Sequence, residues 1–414
     1  MSEFLRLDDV SFSGKTVLLR ADLNVPMQGG KVTDDTRIVR LKPTIDFLLK
    51  KKARIVLLSH FGRPEGKFLP SMSLAPLVDT LAAAYGVSGV RFGVDCVGPA
   101  ASEAVKKTKA GEMVLLENLR FHPEEEKGDK AFARDLASLG DIFVNDAFSC
   151  SHRPHASITG ISEFLPTVAG RLMEEELTQL SAIFSQPQKP ITAIVGGSKV
   201  STKLDLLNNL VKKMDSIIIG GAMANTFLYA QGFKVGNSLH EPKLKATALK
   251  ILKAAEKHGC RVLLPTDVVI AKAFETRSPC VVADVDEIPG WGIAIDVGPS
   301  SIQLFSEEIA RSKTVVWNGP MGAFEISPFD ASSIMLARVV AKLTRQKKIR
   351  SIGGGGDTVS ALSHSALSDF SYISTAGGAF LEWLEGKELP GVEVLNQTSS
   401  PRRRGSLSTT KNVS

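Results

Sequence analysis

The sequence predicts an α/β protein made of two doubly wound parallel-sheet domains joined by a hinge helix. Three observations carry this. Short β-branched apolar runs recur along the 414 residues, and most are followed by a stretch with helical spacing of apolar residues. Runs of this continuous kind belong in parallel sheets covered by helices on both faces. They are also too many for one (β/α)₈ barrel of about 250 residues, so two sheets fit better.

In chain order, the first half offers TVLLRADLN (16–24), RIVLLSH (54–60), MVLLENL (113–119) and DIFVNDAF (141–148). Residues 165–190 keep helical spacing up to a proline-bracketed QPQKP turn, so they read as one long helix at the domain junction. The second half continues with ITAIVGG (191–197), SIIIGG (216–221), RVLLP (261–265), TVVWNG (314–319) and KIRSIGGG (348–355). After Leu395 the chain turns polar, and 396–414 reads as a disordered basic tail. Its RRGSL resembles a basophilic kinase target, with a solvated charge run as the plainer reading.

An apolar content of 43% with 23% charged residues matches folded soluble chains. No run approaches the roughly 20 apolar residues of a membrane span, and the start lacks a signal-peptide pattern, so a cytoplasmic home is expected. Four of the charges behind the net +6 lie in the tail (Arg402, Arg403, Arg404 and Lys411), leaving a nearly neutral body that does not suit nucleic acid. Cys96, Cys150, Cys260 and Cys280 lie far apart with no CxxC pair. They read as free thiols rather than a zinc site.

Ligands of parallel α/β sheets bind at the carboxyl ends of strands, so polar residues closing an apolar run are informative. The first half supplies Arg20, Asp22 and Asn24, then Ser59, His60, Gly62 and Arg63, then Glu117, Asn118, Arg120 and His122, then Asp146, His152, Arg153 and His155. Several arginines converging on one sheet edge suit a small, multiply charged anion. Any one arginine has a plainer reading as a partner of Asp22 or Glu117. An HxxH metal reading of His152 and His155 lacks a nearby third ligand.

The second half is punctuated by glycine: GGSKVSTK (196–203), GGAM (220–223), WNGPMGAFE (317–325), GGGGDT (353–358) and STAGGA (374–379). Bare backbone after a strand and before a helix cradles phosphate, and Lys199 and Lys203 read as one turn apart on one face. Asp357 at a helix start is a natural Mg²⁺ carboxylate. One such turn signals only turn geometry; five at successive strand ends signal a nucleotide site. GxxxxGK[ST], GxGxxG after a leading strand, HRD and DFG are absent, and no nucleophile with an adjacent base stands out. Direct transfer between two bound substrates is therefore favoured over a covalent intermediate. The competing class is a two-lobed binding protein without chemistry, which would have no need for Lys203 together with Asp357.

RADLNVP (20–26), SHFGRP (59–64), ENLRFHPEEE (117–126), NDAF with HRPH (145–155) and the five glycine motifs resemble the phosphoglycerate kinase family in order and spacing, over about residues 5–395. The resemblance implies reversible phosphoryl transfer between ATP and 3-phosphoglycerate, with Mg²⁺, in a monomer. It assigns 3-phosphoglycerate to Asp22, Leu23, Asn24, Arg37, His60, Phe61, Gly62, Arg63, Arg120 and Arg153. It assigns the nucleotide to Gly196, Gly197, Lys203, Gly220, Gly221, Asn318, Pro320, Glu325, Gly355, Gly356, Asp357 and Thr358, with the metal on Asp357. Arg37, Lys199, Lys203, Gly377 and Gly378 are the expected catalytic set. The implied plan is 1–170 for the acid substrate, 171–186 for the hinge helix, 187–386 for the nucleotide and 387–395 returning to the first domain. SCSHRPH (149–155) and Ala376 depart from the family pattern.

Overall fold

The computed structural model describes residues 4–184, 187–364 and 369–398. Two compact units emerge: residues up to Thr178 together with those from Glu388, and Gln179–Lys387.

In the first unit, β1 (Thr16–Arg20) is followed by a small hairpin of β2 (Met27–Gln28) and β3 (Lys31–Val32), then by β4 (Arg54–Leu58), β5 (Arg91–Gly93), β6 (Met113–Leu116), β7 (Ile142–Asn145) and β8 (Thr167–Ala169). Apart from the hairpin these strands form one parallel sheet in the order β5-β6-β4-β1-β7-β8. Alternate residues serve two cores. Val17, Leu19, Ile55 and Leu57 pack into one, while Leu18, Val56, Leu58 and Phe143 pack into the other. Burial on both faces is why these strands read as unbroken apolar runs.

The second unit adds β9 (Ile191–Val195), β10 (Ser216–Ile219) and β11 (Arg261–Leu263), then β12 (Asp267–Ala271), β13 (Cys280–Asp284) and β14 (Ile293–Val297), then β15 (Thr314–Asn318), β16 (Arg350–Gly354) and β17 (Tyr372–Ser374). The order β11-β10-β9-β15-β16-β17 is the doubly wound order of dinucleotide-binding folds, with the chain reversing direction between β9 and β15.

Each of the nine apolar runs contains a strand. The sequence reading missed the antiparallel sheet β13-β12-β14, whose edge strand leaves Val281 and Val282 more than half exposed. It also read 165–190 as one helix, whereas β8 pairs with β7 and the helix is Arg171–Phe184. Pro166 and Gly170 bracket the β-branched Thr167 and Val168, which favours a short strand over a helical turn. The last helix, Pro390–Thr398, runs three residues past the expected start of the tail at 396. The rest of that tail, including RRGSL, lies outside the described residues, as do 185 and 186 of the expected hinge helix.

Asp146, expected in an anion pocket, instead anchors the helix Arg171–Phe184. Met173 N–H donates to its Oδ1 at 2.9 Å, and Thr44 donates to Oδ2 at 2.6 Å while accepting from Arg171 N–H at 2.9 Å. Burial outweighs these hydrogen bonds and raises its carboxyl from 3.8 to about 6. The raised value contributes stability that is complete below about pH 4 and lost as pH rises through about 6, on the order of 3 kcal/mol in all. Asp146→Asn is expected to remove that part of the pH dependence of Tm. Parallel Tm–pH profiles for variant and wild type would refute the assignment.

Candidate active site

The first unit reverses chain direction between β1 and β7, and its polar network spans that point. Past β1, Asp22 Oδ2 accepts from Arg37 at 2.8 Å and from Ser149, which follows β7, at 2.5 Å. Arg37 opens the helix Thr36–Lys50 and also donates to the Asn24 carbonyl at 2.9 Å. Burial pushes the Asp22 carboxyl up, but the facing Arg37 and the Ser149 hydroxyl offset it and hold it below its usual value. Beside this pair opens a cavity of about 380 Å³ lined by Asn24, Val25, Pro26, Asp34 and Arg37.

The loop after β4 is fastened from both sides. Leu23 N–H donates to Ser59 at 2.9 Å, and Asn24 Oδ1 accepts from Gly62 N–H at 3.0 Å. Asn118 accepts from Phe61 N–H at 3.1 Å and donates to the Phe61 and Met72 carbonyls at 2.7 and 3.0 Å. Arg120 donates to the Gly62 carbonyl at 2.8 Å and faces Glu126. Arg63 and Arg153 are exposed, and neither forms an ion pair among the described residues.

His60 is neutral: burial, with Arg20, Arg120 and Arg37 close by, pushes it down to about 3 against the pull of Asp22. Arg20 approaches its Nδ1 at 3.3 Å, and because a guanidinium only donates, Nδ1 accepts and the ring proton sits on Nε2. Arg20 itself is buried and committed, donating to Ser157 at 2.8 Å and to the Ala21 carbonyl. It supports the pocket instead of lining it. Glu117, offered by sequence as an arginine partner, holds Ser73 and the Leu74 N–H at 2.6 and 2.9 Å. His122 turns to Asp95 at 2.8 Å, and His155 faces the buried Glu125 at 3.8 Å.

In the second unit the five glycine turns follow β9, β10, β15, β16 and β17. At the point where direction reverses, Lys203 donates to the Gly196 carbonyl at 2.7 Å, the Asn318 carbonyl at 3.1 Å and Asn318 Oδ1 at 2.6 Å. Its ammonium therefore ties the ends of β9 and β15. Burial lowers Lys203 to about 8, while the charge of Asp357 raises it. Asn318 donates to the Gly354 carbonyl at 2.9 Å, and Thr358 accepts from Gly319 N–H at 2.6 Å. Gly221 has φ +67°, and a Cβ there would lie 2.5 Å from the Gly197 carbonyl oxygen, so only glycine fits. Gly220 N–H bonds Val195, and Pro320 is buried with its carbonyl against Gly196. Lys199, Glu325, Gly356, Asp357 and Gly378 are exposed, with Asp357 and Gly378 opening the helices Gly356–His364 and Gly378–Leu384 after Gly355 and Gly377.

One expectation changes here. The α-helix begins only at Leu204, and Val200–Thr202 is a 3₁₀ turn, so Lys199 and Lys203 do not share a helical face. Lys203 points into the strand ends while Lys199 stands exposed. Ser149 is the residue the sequence reading missed; its signal was its place in the divergent SCSHRPH stretch.

Two kinds of relative match the chain. The pattern of a family described as phosphoglycerate kinase covers residues 7–387. A phosphoglycerate kinase of Ruegeria sp. is 54% identical over 390 residues, 94% of this chain and 98% of the relative. One from Methylobacterium radiotolerans is 53% identical over 397 residues, 95% and 99% of the two chains. The solved phosphoglycerate kinase of Coxiella burnetii superposes with a TM-score of 0.89 at 41% identity, covering 96% of this chain and all of that one. That of Pyrococcus horikoshii gives 0.80 at 29% identity, covering 95% and 99%.

Proposed function

The chain belongs to the phosphoglycerate kinase family, whose reaction is reversible phosphoryl transfer between ATP and 3-phosphoglycerate, and on that premise we propose how its two half-sites divide the work. The observation that carries the proposal is the placement of one polar constellation at each switch point: a basic one across β1 and β7, and a glycine-lined one around Lys203 across β9 and β15. Asp22, Asn24, Arg37, His60, Arg63, Arg120 and Arg153 hold the acid substrate, the arginines matching its carboxylate and phosphate. Neutral His60 offers its Nε2–H as a directed donor without adding a further charge.

The glycine turns, Asn318, Thr358 and Lys203 hold the nucleotide phosphates. Mg²⁺ fits the residues present, because Asp357 offers an exposed hard carboxylate beside bare backbone at Gly355 and Gly356. Bound there with the phosphates, it supplies charge neutralisation on the leaving nucleotide. Arg37, Lys199, Lys203 and the N–H groups of Gly377 and Gly378 neutralise the moving phosphoryl, so catalysis is positioning plus charge stabilisation. The proposal extends to a monomer in the cytoplasm, a reducing compartment that suits four free cysteines. Among the described residues no helix is long and apolar enough to cross a membrane.

Consumption of ATP that requires both 3-phosphoglycerate and Mg²⁺ tests this reading; ATP hydrolysis indifferent to 3-phosphoglycerate would overturn it. Arg63→Ala is expected to raise KM for 3-phosphoglycerate at least about tenfold with a smaller change in kcat, since it removes a positioning fork. A normal KM would take Arg63 out of the site. Direct transfer also needs reacting oxygens within about 3 to 3.5 Å, so the units must close on the two ligands together. The radius of gyration is expected to fall most with 3-phosphoglycerate and a non-reactive ATP analogue both bound. Equal radii in free, binary and ternary samples would contradict closure.

A further inference from the structure

At the β5–β6 edge of the first sheet, away from the β1–β7 switch point, three side chains of different donor chemistry meet. Cys96 follows β5, and His122 follows β6 through the 3₁₀ turn Leu119–Phe121. Asp95 lies between them. The ligating atoms of Asp95, Cys96 and His122 all lie within 4.8 Å of one another. We propose that these three residues form a binding site for a thiophilic divalent cation of the zinc type.

The geometry suits such an ion. Zinc binds thiolate, imidazole and carboxylate at about 2.0–2.3 Å, so the existing spacings need only a small inward movement. His122 Nε2 already stands 2.8 Å from Asp95 Oδ1, where an ion would replace the hydrogen bond. The supporting contacts also fit. Cys96 N–H donates to Asp95 Oδ1 at 2.6 Å, and the His122 ring packs on Phe132 with centroids 5.1 Å apart, which fixes both ligands in orientation. The thiol is buried, while the His122 and Asp95 side chains are 30% and 43% exposed, giving an entry path and an open fourth position for water.

Binding exchanges the Cys96 S–H proton, released to solvent, for a sulfur–metal bond, with the His122 ring proton moved to Nδ1. No electron transfer is involved. Spacing in the sequence argued against a zinc site because it finds only paired cysteines; here the sheet brings a histidine from a neighbouring strand end to a lone cysteine and the aspartate before it.

Titrating the full-length, phosphine-reduced protein with Co²⁺ tests the proposal through the thiolate-to-cobalt charge-transfer band in the near ultraviolet. One saturable equivalent with that band is expected, displaced by Zn²⁺ and unchanged in Cys280→Ser, which removes the exposed thiol. Cys96→Ser should abolish the band, and Asp95→Asn and His122→Gln should each weaken binding at least about tenfold. The latter two positions are partly exposed, so those variants stay informative even if the buried one misfolds. A band that survives Cys96→Ser, affinities unaltered by Asp95→Asn and His122→Gln, or no saturable binding would each overturn the site.

Discussion

Lys203→Ala is expected to lower kcat by at least about a hundredfold while leaving the affinity for 3-phosphoglycerate nearly unchanged. A hundredfold is about 2.7 kcal/mol of transition-state stabilisation, within the range for one charged or hydrogen-bonding donor in a water-poor site. The split follows from placement. Lys203 bonds the ends of β9 and β15 in the second unit, whereas the acid-substrate residues belong to the first. The charge itself is the agent, and with Lys203 lowered to about 8 in the free protein the wild-type kcat/KM should fall as pH rises through about 8. Lys203→Arg, whose guanidinium stays charged, should lose that fall even if its rate is lower. The alanine leaves the Gly196 carbonyl and Asn318 Oδ1 without the ammonium donor, so Tm and nucleotide affinity are measured alongside. A folded Lys203→Ala enzyme with near-normal kcat would remove Lys203 from the catalytic set.

The strand ends were legible in the sequence because burial on both faces leaves unbroken apolar runs, and polar or glycine residues then mark where each run stops. The same logic concealed the antiparallel sheet. Its strand β13 is largely exposed, so it lacks the two-sided burial that marks the other strands. Individual roles were less legible than places. Arg20 and Arg37 look alike in a string, yet one is buried under His60 and the other reaches the pocket from a helix. Lys199 and Lys203 look equivalent at a helical spacing until the 3₁₀ turn between them sends only Lys203 into the strand ends. Asp146 sat among polar residues at a strand end and proved to be a helix anchor. In each case the deciding fact is a partner far along the chain, and spacing alone does not carry that information.

The glycines divide in the same way, which gives the second large effect. Gly196→Ala is expected to lower Tm by roughly 6 to 12 °C and kcat by more than tenfold, whereas Gly356→Ala should leave Tm within about 2 °C of wild type. A Cβ on Gly196 would lie 1.8 Å from the Pro320 carbonyl oxygen, 2.6 Å from its carbon and 3.0 Å from the Gly319 oxygen. All three are backbone atoms, so no rotamer change relieves the clash and the ends of β9 and β15 must part. Overpacking of this kind costs about 3 kcal/mol or more. Parting those ends also breaks the Gly196 N–H bond to Asn318 at 3.0 Å and loosens the carbonyls that Lys203 holds, which is why the rate falls with stability. At Gly356 nothing lies within 4 Å of the added Cβ. If its bareness serves the nucleotide, Gly356→Ala should weaken ATP binding with Tm intact. Calorimetric melting and nucleotide titration of both variants separate the two cases, and a Gly196→Ala protein that melts like wild type would show that the β9–β15 junction yields where the geometry says it cannot.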